Sequence, residues 1–210
     1  MSSIAEWVFL PTYSLNPNDR IYDTFNPAIH LAGQLQRYAQ LCGDSALKAL
    51  LQERADTIVH IAWRHVQRSE AGHLWWIYSD HRPQPNDLLH VAYICEGLEE
   101  YRHAGGRIAL DPVGYMGHFA EFRKGGEWYE YVDWHHPHKR PNALRLWSLS
   151  MALALLAEDT TYAEHVPSMV AQLGRYRTPE GHMTLRTTDQ RVLVRQEAHA
   201  LLWLSHYLYR

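Results

Sequence analysis

Two cysteines, Cys42 and Cys95, are the only thiols in the 210 residues. They are too few and too far apart for a disulfide framework, so the sequence reads as that of a protein kept in the reducing cytoplasm. No run of Lys and Arg exceeds two residues and the net charge is −3, which excludes the electrostatic footprint of a nucleic-acid binder. No apolar stretch approaches the roughly 18 residues that span a bilayer. The segment MSSIAEWVFLPTYSLNPND lacks a basic start and a normal apolar stretch, so no signal peptide is expected. Catalytic signatures are missing too. There is no G-x-S-x-G elbow, no H-E-x-x-H helix and no D-D-x-x-D cluster. Gly105-Gly106 and Gly125-Gly126 are isolated pairs, not a phosphate loop, and no cofactor is expected. The run His135-His136-Pro137-His138 invites a metal, but neighbouring imidazoles on a Pro-containing loop seldom converge on one ion, so no metal is expected either.

Aromatic and imidazole side chains are plentiful: eight Trp, thirteen Tyr and fifteen His. The 46% hydrophobic and 20% charged content is that of an ordinary globular chain, and the length fits a single domain over residues 1–210. A repeat runs through it. Gly72, Gly125 and Gly181 each precede an aspartate (Asp80, Asp133, Asp189) by eight residues. The intervening segments HLWWIYS, GEWYEYV and HMTLRTT have strand-like or aromatic character. After each aspartate comes a polar loop and then an apolar helix, expected at Asp87–His103, Asn142–Ala157 and Gln196–Tyr209. Ile21-Tyr22-Asp23, followed by a helix from Asn26 to Leu41, fits as an earlier copy. The four aspartates are spaced 57, 53 and 56 residues apart.

Between the apolar helices lie amphipathic ones. Ser45–Gln67 is capped by Asp44, with Leu47, Leu51, Ala55, Ile58, Ala62 and Val66 on one face and Lys48, Gln52, Glu53, Asp56 and Arg64 on the solvated one. Val113–Arg123 starts at Asp111-Pro112. Thr161–Leu173 opens with a Thr161/Glu164 capping box. Apolar inner helices alternating with amphipathic outer ones are what a ring or arc of αα-hairpins requires. The expected fold is therefore all-α: an arc or partial (α/α) toroid of about four αα-hairpin repeats, with short β segments near 74–78, 128–132 and 183–187. Trp147 and Leu153, on the most apolar helix, should be deeply buried.

Within this skeleton the stretch Trp75–Tyr101 concentrates the chemistry. An aromatic run, Trp75, Trp76, Ile77 and Tyr78, leads through a loop with Asp80 and His81 to a helix that Asn86 or Asp87 caps. Asp87 and His90, three apart, share a face of its first turn. The pattern G-x-L-W-W-x-Y, then N-D-x-x-H and G-L-x-x-Y, resembles the α/α-toroid domains of bacterial polysaccharide biosynthesis and glycan-modifying proteins. The VpsJ-like polysaccharide proteins and the helical domain of glucuronyl C5-epimerases are the groups it is similar to. That resemblance maps onto Trp75, Trp76, Tyr78, Asp87 and His90, and covers about thirty residues; the periodic skeleton extends it along the chain. A full toroid has more hairpins than the four inner helices counted here, which implies an open arc, or one completed by a second copy or a partner protein.

If the repeat holds, the loops and inner-helix starts gather at one end. The expected catalytic residues there are His90, Asp87, Asp80 and Asp133. The expected substrate-binding residues are Trp75, Trp76, Tyr78, His81, Tyr131, Trp134, Glu197 and His199. Aromatics interleaved with carboxylates and imidazoles suit a carbohydrate, whose C–H faces stack on rings and whose hydroxyls need fixed partners. Carboxylates can serve as general acid and base, and His90 is the better proton carrier because an imidazole titrates near neutrality. The plain alternative is that the repeated aspartates are caps and turn formers. Binding and turnover are both compatible with these residues. Two other readings stand beside the glycan one: a helical-repeat module whose concave face holds a protein, and a toroid enzyme acting on an isoprenoid or a peptide.

Overall fold

The computed structural model describes residues 24–79, 83–132, 144–158, 160–189 and 191–208. Within them the chain is mostly helical, with two short two-stranded hairpins. In order, the elements are α1 (Phe25–Leu41), α2 (Ser45–Arg64), β1 (Gln67–Arg68), β2 (Leu74–Trp75), α3 (Leu88–His103), α4 (Pro112–Ala120), β3 (Arg123–Lys124), β4 (Glu127–Trp128), α5 (Leu146–Glu158), α6 (Val166–Gly174) and α7 (Val194–Leu208). They group into two compact units. Among the described residues, the first holds 24–79, 83–86 and 93–118, and the second holds 87–92 and those from 119 to 208. None of the described helices is long and apolar enough to cross a membrane.

In the first unit α1 and α2 pack as a helical pair joined by Cys42–Asp44. Asp44 ends the link as a true N-cap: its carboxylate accepts from Ala46 N at 2.8 Å and Leu47 N at 3.1 Å. The α1 and α3 backbones approach so closely that only glycine fits the crossing. A Cβ on Gly33 would lie 2.5 Å from Gly97 O, and one on Gly97 would lie 2.6 Å from Ile29 O. Asp56, read from the sequence as part of the solvated face of α2, is instead buried. Tyr101 Oη and Arg107 Nε both donate to its carboxylate, and Ile108 N donates to Tyr101 Oη at 2.9 Å. A buried charge held by a guanidinium and a phenol replaces the water contact that the helical wheel implied.

The second unit is built on α5, whose Leu146, Leu149, Met151, Leu153 and Leu156 are all buried. Trp147, expected to be as deep as Leu153, is only half-buried, and its indole stacks on the His199 ring. The helix expected over Thr161–Leu173 divides in two: 3₁₀ geometry over Thr160–His165, then α6. Pro167 explains the break. Without an N–H and with its ring against the preceding turn, it is tolerated only at a helix start. Gln172 on α6 acts as a side-chain strand, accepting from Trp128 N and donating to Trp128 O, both at 2.9 Å.

Gly72, Gly125 and Gly181 each lie two residues before the first paired residue of a return strand and have φ of 84°, 59° and 95°. In the first and third cases the same bonds close the turn. Gly72 N donates to Ser69 O at 2.9 Å and Gly181 N to Thr178 O at 3.0 Å. His73 N and His182 N donate to the Ser69 and Thr178 hydroxyls at 3.2 Å. The local rule is Ser/Thr-x-x-Gly-His, with glycine required by the left-handed φ. At 183–187 the pairing is shorter than expected: two isolated bridges, Arg177 with Met183 and Arg186 with Asp189.

Candidate functional site

Among the described residues of the second unit, a cluster of ionisable groups forms where α3 and α5 begin. Asp87 precedes the first turn of α3 and caps it. Its carbonyl accepts from Val91 N at 3.0 Å and its Oδ1 from His90 N at 3.1 Å. The same Oδ1 meets His90 Nδ1 at 2.6 Å. Arg145 stands in the corresponding place on α5, its carbonyl accepting from Leu149 N at 3.1 Å. From there its guanidinium reaches two carboxylates. Nη2 donates to Asp87 Oδ2 at 2.8 Å and also to Glu130, while Nε donates to Glu130 Oε1 at 2.8 Å.

Glu130 is buried, 1% exposed, on the segment that follows β4. Besides the guanidinium it accepts from Arg145 N at 2.9 Å and Ser148 Oγ at 3.0 Å. Its backbone carbonyl takes Leu88 N at 3.0 Å. Both its carboxylate oxygens are thereby satisfied, the condition under which a buried charge is tolerated.

Each titration follows from these contacts. Burial opposes ionisation of Asp87, but the hydrogen bond from His90 and the charges of His90 and Arg145 outweigh it, so its carboxyl sits below the usual range. Glu130 moves the other way: burial and the adjacent Asp87 charge raise it in spite of Arg145. Burial also raises the Tyr131 phenol, helped by Asp87 and Glu130. Arg145 stays charged, its burial overcome by Glu130 and Asp87. An ionised Asp87 facing Nδ1 keeps a proton on that nitrogen of His90. In an arrangement of this kind a carboxylate can orient an imidazole for proton transfer or for hydroxyl binding.

The sequence-derived candidates are distributed as follows. Asp87, His90, Tyr131, Glu197 and His199 belong to the second unit, and Trp75, Trp76 and Tyr78 to the first. Asp80, His81, Asp133 and Trp134 lie outside the described residues. Trp76 is 2% exposed, its indole N–H donates to Ala62 O at 2.7 Å, and its ring contacts Trp63; no open ring face is left for a ligand. Trp75 and Tyr78 are half-buried. Glu197 accepts from Met183 N at 3.1 Å, and His199 stacks on Trp147 with ring centres 3.9 Å apart. Asp189 is a turn former: it accepts from Arg191 N at 3.2 Å and pairs with the Arg191 guanidinium at 2.6 Å.

Sequence reasoning missed Glu130, Arg145 and Ser148. A signal for Glu130 was present. Trp128, Glu130 and Val132 are buried while Glu127, Tyr129 and Tyr131 are not, the period-two pattern of an extended segment. A carboxylate at an inward position of that pattern demands a cation, and Arg145 is the basic residue immediately before the most apolar helix.

The same segments border a cleft of about 250 Å³, lined by Glu127, Trp128, Tyr129, Leu144, Gln172, Arg175, Tyr176 and Thr187. Glu127 and Arg175 form an ion pair of 2.5 Å on its lining, and Tyr176 Oη donates to Leu144 O at 3.0 Å. Among the described residues no group of three or more His, Cys, Asp or Glu could hold a metal ion. No family model, no curated protein and no solved structure matches this chain.

Proposed function

We propose that this chain is a glycan-active or glycan-binding protein of the α/α-toroid type, acting on an oligosaccharide or polysaccharide precursor with His90 at the point of contact. The observation that carries the reading is the 2.6 Å contact between Asp87 and the Nδ1 of a part-exposed His90, braced from behind by Arg145 and Glu130. Such a brace fixes the orientation of the imidazole, the group this reading assigns to a substrate hydroxyl or proton. Neither Asp87 nor Glu130 is assigned the role of general acid, because Arg145 engages both. Tyr131, whose phenol feels the same carboxylates, is the neighbouring aromatic for a sugar ring. The arc of hairpins is supported by the recurring Ser/Thr-x-x-Gly-His turns and by the apolar α5 between the half-exposed α6 and α7. The two free cysteines fit a cytoplasmic setting.

Calorimetry with neutral and uronic-acid-containing oligosaccharides tests the reading. The wild type should bind a member of one class. His90→Ala should bind it at least about ten-fold more weakly, the loss of one charge-assisted or well-placed hydrogen bond, with an unchanged circular dichroism spectrum. Normal binding by His90→Ala together with a fall of several degrees in melting temperature would make His90 a packing residue and end the proposal. So would the absence of binding by the wild type to both classes.

A further inference from the structure

Helix α7 presents an apolar stripe to solvent. Ala200 and Trp203 turn inward, where the helix packs on α5. On the far side lie Val194 at 79% exposure, Leu201 at 58% and Leu208 at 68%, with exposed Ala198 and half-exposed Ser205 between them. The spacing 194, 198, 201, 205, 208 alternates four and three, the seam of a two-helix coiled coil. Leu202, 49% exposed, widens the seam on one flank.

We infer that this stripe is a self-association surface that pairs α7 with α7 of a second copy of the chain, antiparallel about a twofold axis. The order of side chains along the seam selects a copy of itself in that direction. Large and small residues alternate: Val194, Ala198, Leu201, Ser205, Leu208. Run antiparallel, the seam sets Val194 against the partner's Ser205 and Ala198 against the partner's Leu201, so Val194 and Leu201 each meet a small side chain, while Leu208 reaches past the start of the partner helix. Run parallel and in register, it would stack small on small and large on large. Charge points the same way. Arg195 is exposed beside the seam near the N-terminal end of α7, and the antiparallel arrangement brings it toward the C-terminal end of the partner helix, whose carbonyls favour a cation. It also sets the two helix dipoles in opposition. The described helix is about 22 Å long, so the contact falls at the small end of stable interfaces. The result is a monomer–dimer equilibrium rather than an obligate dimer.

Sedimentation equilibrium of the full chain over a wide concentration range is the test. The weight-average mass should rise from the 24.5 kDa of one chain toward twice that value. Leu201→Glu, on an exposed position, should remain at monomer mass throughout with an unchanged circular dichroism spectrum at low concentration. Ala198→Arg serves the same purpose should Leu201→Glu fail to fold. Orientation is read from disulfide trapping in a Cys42→Ser background. Ala198→Cys mixed with Leu201→Cys should give the mixed disulfide, whereas each variant cross-linking with itself in preference to the other would overturn the antiparallel pairing. Monomer mass for the wild type at all concentrations, or a dimer that survives both seam substitutions, would overturn the surface itself.

Discussion

Arg145 donates to Asp87 across 2.8 Å, and each of the two stands at the first turn of a different apolar helix, α5 and α3. One ion pair therefore ties together two helix starts, and the imidazole of His90 hangs from the same carboxylate. The position of His90 depends on a residue 55 places further along the chain.

Removing Arg145 leaves Asp87 and Glu130 side by side with no cation between them. Arg145→Ala should cost roughly 3–5 kcal/mol of stability, the range for breaking a buried pair from one side, read from urea unfolding. Asp87→Asn should also be harmful. Both Asp87 oxygens are already accepting, Oδ1 from His90 and Oδ2 from Arg145, so an amide must turn its NH₂ toward one of these donors. It should lower both melting temperature and ligand affinity, and lower the melting temperature more than His90→Ala, which keeps the Arg145–Asp87 pair.

The two carboxylates give opposite pH dependences. The Asp87 carboxyl titrates below its ordinary 3.8 in the native state, so its contribution is fully present above that value and is lost as pH falls through the native pKa. The Glu130 carboxyl titrates above its ordinary 4.5, so its contribution is fully present below 4.5 and is lost as pH rises through the native pKa. Glu130→Gln removes only the second effect. Its stability should fall more steeply than that of the wild type on acidification, and the Glu130-linked decline on the neutral side should vanish. Unfolding free energies measured from about pH 3 to 7 decide this.

Gly97→Ala should destabilise the α1–α3 crossing despite the better helix propensity of alanine. Its Cβ would lie 2.6 Å from Ile29 O and 2.7 Å from His30 Cα, and backbone cannot step aside as a side chain can. The expected net loss is about 1–3 kcal/mol, against a propensity gain of about 1 kcal/mol. Gly174→Ala is the control. Nothing lies within 4 Å of a Cβ there, and its melting temperature should stay level or rise.

What could be read in advance was local chemistry. Asp44 caps α2 and Asp87 opens α3, because each requirement is met within four residues of the chain. Helix ends at Leu41 and His103 matched for the same reason. What could not be read was pairing across distance. Asp56 looked solvated because its partners, Tyr101 and Arg107, come 45 and 51 residues later. Glu130 and Arg145 looked like ordinary charged residues flanking a loop, and only the fold makes one the counterion of the other. The 3₁₀ stretch before α6 has a different cause: Pro167 sets the helix start, which the Thr161/Glu164 capping pattern does not show.

The Ser/Thr-x-x-Gly-His turns divide labour sharply among their positions. Bonds from the first, fourth and fifth residues close the loop, while Glu70, Ala71, Pro179 and Glu180 lie on the outside, all exposed. Those middle positions are ports: a label, a tag or a longer loop placed between Glu70 and Ala71, or between Pro179 and Glu180, enters where the helices on either side carry none of the strain. The same geometry gives the molecule two points at which new surface can be added without rewriting its core.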